Sequence, residues 1–155
     1  IHLFDVDLPD GTKLLESETV EAGSEPVVAE APFGTLGLSV CYDLRFPELY
    51  RRLVDAGAIA LAIPAAFTLT TGKDHWHVLL RARAIEQQCY VLAAAQTGHH
   101  YGKRRSYGHA LIADPWGTVL AECGEGEGVA VAEIDPAYVK QVRAAVPSLA
   151  HRTLR

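Results

Sequence analysis

The chain has 155 residues, 49% of them hydrophobic and 21% charged, with a net charge of −5. That balance suits one folded domain with a sizeable core and excludes disorder as the main state. The longest apolar runs, such as residues 59–67, fall far short of the roughly 20 residues that cross a bilayer. The acidic charge points to neither a nucleic-acid nor a membrane partner, since both favour basic patches.

In chain order, Ile1 opens directly onto His2-Leu3-Phe4-Asp5, and there is no Met anywhere. The expectation is therefore a piece from the middle of a longer protein. Residues 7–25 are polar and rich in turn formers, with Pro9-Asp10-Gly11 and Gly23-Ser24, and are expected to be irregular. Residues 26–31 and 35–40 read as two strands joined through Pro32-Phe33-Gly34. The second is apolar almost throughout, as a buried central strand is. Pro47 suits the first turn of a helix that runs to about Ala56 and stops at Gly57. Residues 59–63 read as a short strand. Asp74 predicts the N-cap of a helix reaching about Gln88. Strands follow at 90–95, 109–113 and 118–122, the last two separated by the turn Asp114-Pro115-Trp116-Gly117. Residues 128–134 read as a further strand, and Asp135-Pro136 starts a last helix ending near Pro147. This order predicts a layered α/β (α+β) architecture with helices covering sheet faces.

The chemistry concentrates at Cys41, between an apolar strand and the helix starting near Pro47. A nucleophile there sits on a sharp turn, exposed at the sheet edge. Its reactive form is the thiolate, which a helix N-terminus or a cation stabilises. The Tyr42 backbone N–H is placed to donate to an oxyanion, and Arg45 to hold an anion. A cysteine in such a place is more often a small buried hydrophobe closing a strand, and position alone does not overturn that. Cys41, Cys89 and Cys123 are scattered, which suits neither a disulfide framework nor a metal site and favours a reduced, cytoplasmic setting. His75 and His77 lie two apart on a predicted helix, on different faces, so they are poorly placed to share one ion. His99-His100 and Lys103-Arg104-Arg105 read as solvated loop residues. These spacings suggest no metal site.

Val40-Cys41-Tyr42-Asp43-Leu44-Arg45-Phe46-Pro47-Glu48 resembles the nucleophile motif of the nitrilase superfamily of carbon–nitrogen hydrolases. The likeness continues through Pro64-Ala65-Ala66-Phe67, Thr70-Thr71-Gly72, His75-Trp76, Arg81-Ala82-Arg83-Ala84-Ile85-Glu86, Ser106-Tyr107-Gly108-His109 and Asp114-Pro115-Trp116-Gly117, and residues 1–7 also match. Within the superfamily the chain most resembles the deaminated glutathione amidase branch, with the ω-amidases next. The resemblance implies a four-layer α-β-β-α sandwich, usually assembled as a homo-oligomer. It implies thiol-mediated acyl transfer from a small-molecule amide, with a glutamate as general base, a lysine at the oxyanion and no cofactor.

Carried over by motif, Cys41 is the nucleophile and the Tyr42 N–H an oxyanion donor. Glu16 matches a second glutamate that positions the lysine. Arg45, Phe67 and Thr71 match positions lining the substrate pocket, with Arg45 pairing a substrate carboxylate through its planar fork. From its neighbours alone, Arg45 reads equally as an ion-pair partner of Asp43 or Glu48. Taken alone, Glu16 is an ordinary loop carboxylate, Phe67 a core residue and Thr71 a turn former. The matching general base and lysine fall outside the chain, and Lys13 stands in the wrong place for the latter. Position 77 is His where relatives often have Glu. The chain is therefore expected to be the C-terminal portion of an amidase acting on a small carboxylated amide such as deaminated glutathione, inactive and aggregation-prone alone. The alternatives are an ω-amidase, an N-carbamoyl amino-acid amidohydrolase, a nitrilase, or a non-catalytic binding or assembly module.

Overall fold

A computed structural model describes residues 1–7, 11, 13–102 and 104–154. Strands β1 (Asp5–Asp7) and β2 (Lys13–Leu15) pair antiparallel, with Val6 opposite Leu14. A single 3-10 turn, Glu16–Glu18, follows. The stretch expected to be irregular thus holds a small hairpin; strands of three residues carry too little alternation to be read from sequence. The Pro9-Asp10 part of its expected turn lies outside the described residues.

β3 (Val27–Ala31) and β4 (Gly34–Leu38) form the expected hairpin, in register from Val27–Leu38 to Ala31–Gly34. β4 pairs parallel with β5 (Ala60–Ala62), and β5 parallel with β6 (Tyr90–Ala93). β6 pairs antiparallel with β9 (Leu111–Ala113), which carries β10 (Val119–Glu122) at the edge. The result is one mixed six-stranded sheet, ordered β10-β9-β6-β5-β4-β3.

Helices α1 (Pro47–Asp55) and α2 (Leu69–Gln87) cover one face, burying Leu49, Tyr50, Leu53, Trp76, Leu80 and Ala84 with Leu61, Ile63, Val91 and Leu111 of the sheet. Gly37 permits the close approach: a Cβ there would stand 2.9 Å from Leu61 Cδ2 and 3.1 Å from Leu53 Cβ. α2 starts five residues before the expected Asp74. Thr68 supplies the extended residue before the first turn (φ −62°, ψ 144°), and its carbonyl accepts the Gly72 N–H at 2.8 Å. Thr70, Thr71 and Gly72 are weak helix formers, and tertiary packing of Gly72 against Tyr107 overrides their propensity.

Two further corrections concern loops. β7 (Thr97–His99) and β8 (Arg105–Tyr107) form a second small hairpin where solvated loop was expected. The 128–134 stretch forms no strand; Val129 and Val131 are 88% and 80% exposed. Alternating apolar residues do not hold a strand without a neighbour to bond. The last helix, α3 (Pro136–Ala145), starts as expected, with Asp135 Oδ1 accepting the Ala137 N–H at 2.8 Å. Its Val139 packs on Ala60 and Tyr90, and Arg143 donates to the carbonyls of Gln88 and Ala58 at 3.1 Å each.

Cross-strand partners share a face of a sheet, so Val27, Leu38, Ala62, Leu92 and Ile112 all point away from α1 and α2. Val27 and Leu38 are 54% and 38% exposed. The chain thus supplies a helical layer and a sheet layer, with α3 at one end, and leaves much of the second sheet face uncovered.

Candidate active site

The chain leaves β4 through Ser39 and Val40 and turns sharply at Cys41. The Cys41 N–H donates to the Pro64 carbonyl at 2.9 Å, and its φ is +47°. A non-glycine residue in this region costs about 1–3 kcal/mol and persists only where its surroundings enforce it. Here the enforcement is visible. The buried Asp43 carboxylate accepts the Val40 N–H at 3.0 Å, the His2 N–H at 2.9 Å and the His2 ring Nδ1–H at 2.8 Å. Burial pushes its pKa up, yet these bonds outweigh burial and hold it below the usual carboxylate value. Arg83 of α2 clamps the same turn, donating to the Leu44 carbonyl through Nε at 3.1 Å and Nη2 at 2.8 Å.

The turn, a 3-10 helix over Cys41–Arg45, presents Cys41 to a cavity of about 740 Å³. Phe4, Leu15, Glu16, Thr19, Pro64, Gln96 and Arg104 line it with the thiol. A narrow cleft continues from it, walled by Tyr42, Arg45, Phe67 and Thr71; Phe4, Cys41, Ala66 and Thr68 belong to both. All six residues singled out from the sequence therefore gather around one sulfur.

Glu16 reaches the cavity from the turn after β2, and its Oε2 accepts the Phe4 N–H at 2.7 Å. The Tyr42 N–H stands in the first turn of the 3-10 helix, where donors lack partners within the helix. The Arg45 guanidinium lies 5.0 Å over the Phe67 ring and 6.0 Å from that of Tyr42, with Nη1 3.2 Å from His75 Nδ1. It makes no ion pair with Asp43 or Glu48 among the described residues, and so is not the helix-start pair that its neighbours allowed. Phe67 is 4% exposed and packs on Trp76 at 5.0 Å, so it is a core residue as well as a cleft wall. Thr71 shares a 2.7 Å hydroxyl hydrogen bond with Thr68.

The expectation of a stabilised thiolate needs correction. Burial raises the Cys41 pKa above the ordinary thiol value, and the Glu16 carboxylate adds to the rise. The Ala66 N–H, Arg104 and Arg45 oppose it without cancelling it. Cys89 is a core thiol, pushed up to about 12 by burial. Arg104, expected in a solvated basic run, instead lines the cavity. The β7–β8 hairpin turns it into the cavity wall, with Nη1 donating to the Tyr101 hydroxyl at 2.9 Å. Lys103 lies outside the described residues. His99 and His100 are also partnered within this hairpin, by the Gly102 carbonyl at 2.6 Å and the Ser106 hydroxyl at 2.7 Å. No helix among the described residues is long and apolar enough to cross a membrane.

Fold and site together define a mixed α/β protein with a cysteine held on a strained strand-to-helix turn, facing a cavity with a carboxylate and guanidinium groups. The model of the carbon–nitrogen hydrolase family matches residues 1–144, and the chain belongs to that family, within the nitrilase superfamily. It is 60% identical over 154 residues to a deaminated glutathione amidase of Synechocystis, covering 98% of this chain and 57% of that protein. Among solved structures, it superposes on the C. elegans NitFhit protein with TM-score 0.92 and 52% identity, over 99% of this chain and 37% of that one. Yeast Nit3, a member of branch 10 of the nitrilase superfamily, gives TM-score 0.83 and 36% identity, over 94% and 57%. The chain spans about half the length of the curated relatives it matches.

Proposed function

We propose that this chain carries the nucleophile and substrate-binding half of a thiol amidase acting on a small carboxylated amide, deaminated glutathione being the type. One observation carries the reading: Cys41, at φ +47°, opens onto a cavity and cleft that also gather Glu16, Tyr42, Arg45, Phe67 and Thr71. The Cys41 sulfur attacks the amide carbon, and the Tyr42 N–H takes up the oxyanion. Collapse of the tetrahedral adduct expels ammonia or an amine, which takes the proton the thiol gave up. Water then cleaves the thioester, giving the carboxylic acid and restoring the thiol. Arg45 pairs with the substrate carboxylate while the Phe67 ring fixes the guanidinium plane.

Because burial disfavours the thiolate, the reaction needs a base, and general-base help is typically worth about 10²–10⁴-fold. Glu16 faces the same cavity, but the resemblance assigns the base and an oxyanion lysine to positions preceding Ile1. An oxyanion donor of that kind contributes roughly 3–4 kcal/mol. The 155 residues alone are therefore proposed to turn over poorly and, through the uncovered Val27 and Leu38 face, to associate. In the whole protein that face would be covered and the molecule would be a homo-oligomer. Its free thiols fit a reducing, cytoplasmic setting. In the full-length protein, Cys41→Ala is expected to abolish hydrolysis of deaminated glutathione while leaving the circular dichroism unchanged. Hydrolysis at the parental rate would remove Cys41 as nucleophile. A panel of ω-amides, N-carbamoyl amino acids and nitriles separates the related activities.

A further inference from the structure

Away from the thiol cavity, three side chains with metal-ligating atoms meet at one point. His77 comes from α2, His109 from the turn between β8 and β9, and Glu122 from the end of β10. His77 Nε2 lies 2.8 Å and His109 Nδ1 2.7 Å from the same Glu122 Oε1. One ligand atom from each residue falls within 4.8 Å of the others, and no second group of this kind occurs among the described residues. The side chains are 31%, 20% and 32% exposed, sheltered yet open to solvent.

The rings are held from behind. Trp76, adjacent to His77, is completely buried and donates its indole N–H to the His109 carbonyl at 2.8 Å. His109 sits at φ +58°, and its ring stacks on Tyr107 at 4.3 Å. The His77 ring meets both, at 5.9 Å from Tyr107 and 5.5 Å from His109. The fold has thus already brought the three donors together before any ligand arrives.

We propose that His77, His109 and Glu122 form a site for one divalent transition-metal ion, Zn²⁺ being the type, with a coordination position left open to water. Two imidazoles and a carboxylate are donors that such ions take, and three protein ligands leave the fourth tetrahedral position free. Bonds of about 2.0–2.2 Å at tetrahedral angles space the donors roughly 3.3 Å apart, so the present contacts open by about 0.5 Å as the ion enters. An imidazole that carries its proton on the nitrogen facing away offers the ion the lone pair of the other. The ion joins α2 to the edge strand β10, beside a cavity of about 370 Å³ lined by His109, His100 and Cys123. Among the described residues no protein group orients His77 Nδ1 or His109 Nε2, which costs about 10–100-fold in affinity against a site with such partners. None of the three residues lines the thiol cavity or its cleft, so the site stands independently of the amide chemistry.

The test uses the full-length protein in a Cys41→Ser, Cys123→Ser background, which removes competing thiols. After chelation, Zn²⁺ is returned by equilibrium dialysis, and Co²⁺ binding is followed by visible absorption. The expected result is one Zn²⁺ per chain and Co²⁺ bands of a four- or five-coordinate nitrogen and oxygen site. His77→Ala and Glu122→Gln are each expected to weaken binding by about tenfold or more while retaining the parental circular dichroism. Should His77→Ala fail to fold, His109→Asn, which tolerates the left-handed backbone, takes its place. No saturable Zn²⁺ binding, or undiminished binding in Glu122→Gln and the folded histidine variant, overturns the proposal.

Discussion

Gly72→Ala tests how closely the first turn of α2 is fitted to the wall of the site. By helix propensity alone the change stabilises, by about 1 kcal/mol. The structure opposes this, because the new Cβ would stand 2.4 Å from Tyr107 Cβ and 2.6 Å from its Cγ. Carbon atoms pack comfortably at roughly 3.5–4.0 Å. Tyr107 Cβ is bonded to the backbone, so a rotamer change, which moves only Cγ and the ring, leaves the 2.4 Å overlap in place. β8 has to shift as a whole, straining the Tyr107 N–H to Phe67 carbonyl bond of 2.9 Å and the Thr68–Ser106 bridge. Overpacking typically costs about 1–3 kcal/mol and sometimes more. With the backbone involved the upper end applies, and after the propensity gain the net loss is expected to be about 2 kcal/mol. Because Phe67 walls the cleft, KM for a carboxylated amide should rise in the same variant. Urea unfolding of the full-length protein measures the effect, and a midpoint equal to or above the parent's would refute the packing argument.

Three further outcomes are expected. With Cys123→Ser removing the other accessible thiol, alkylation of Cys41 by iodoacetamide follows its thiolate, so the rate keeps climbing above pH 9.0, the ordinary thiol value, and Glu16→Gln speeds it at pH 8 by removing a like charge; a plateau below pH 8 would show the thiolate to be stabilised after all. Arg45→Lys loses the planar fork, with KM for carboxylated amides rising by about tenfold, one charged hydrogen bond of about 1.5 kcal/mol, while neutral amides are little affected; equal effects on both substrates would dismiss the carboxylate clamp. Asp43→Asn costs about 2 kcal/mol at pH 7 by weakening the charged hydrogen bonds of the turn. The folded-state pKa of Asp43 is depressed, so its stabilisation is complete above 3.8 and fades as pH falls through the folded value. Urea midpoints of parent and variant should therefore converge below pH 3.8, and a gap that stays constant there would contradict the assignment.

What the sequence discloses and what it withholds divide along the range of the interactions. Pro47, Gly57, Asp135 and the Asp114–Gly117 turn act within a few residues, and each structures the chain where local chemistry places it. The start of α2 was hidden because its cause is not local: Gly72 looks like a breaker until Tyr107, 35 positions later, is seen against it. Cys41 was legible as a turn residue, but its acidity was not. Burial that the flanking residues do not announce outweighs Arg45, and Arg104 enters only through a hairpin too short to show periodicity. The His77, His109 and Glu122 cluster is the extreme case, drawn from one helix, one turn and one edge strand, with no spacing rule linking them. His77 and Glu122 meet only because β10 lies at the sheet edge beside α2, and His109 only because its backbone takes the left-handed region. The Cys41 turn is spelled by residues adjacent in sequence, whereas this cluster is assembled only by the fold. Any chemistry this chain holds beyond Cys41 is accordingly to be sought where the sheet order, rather than the sequence, sets the neighbours.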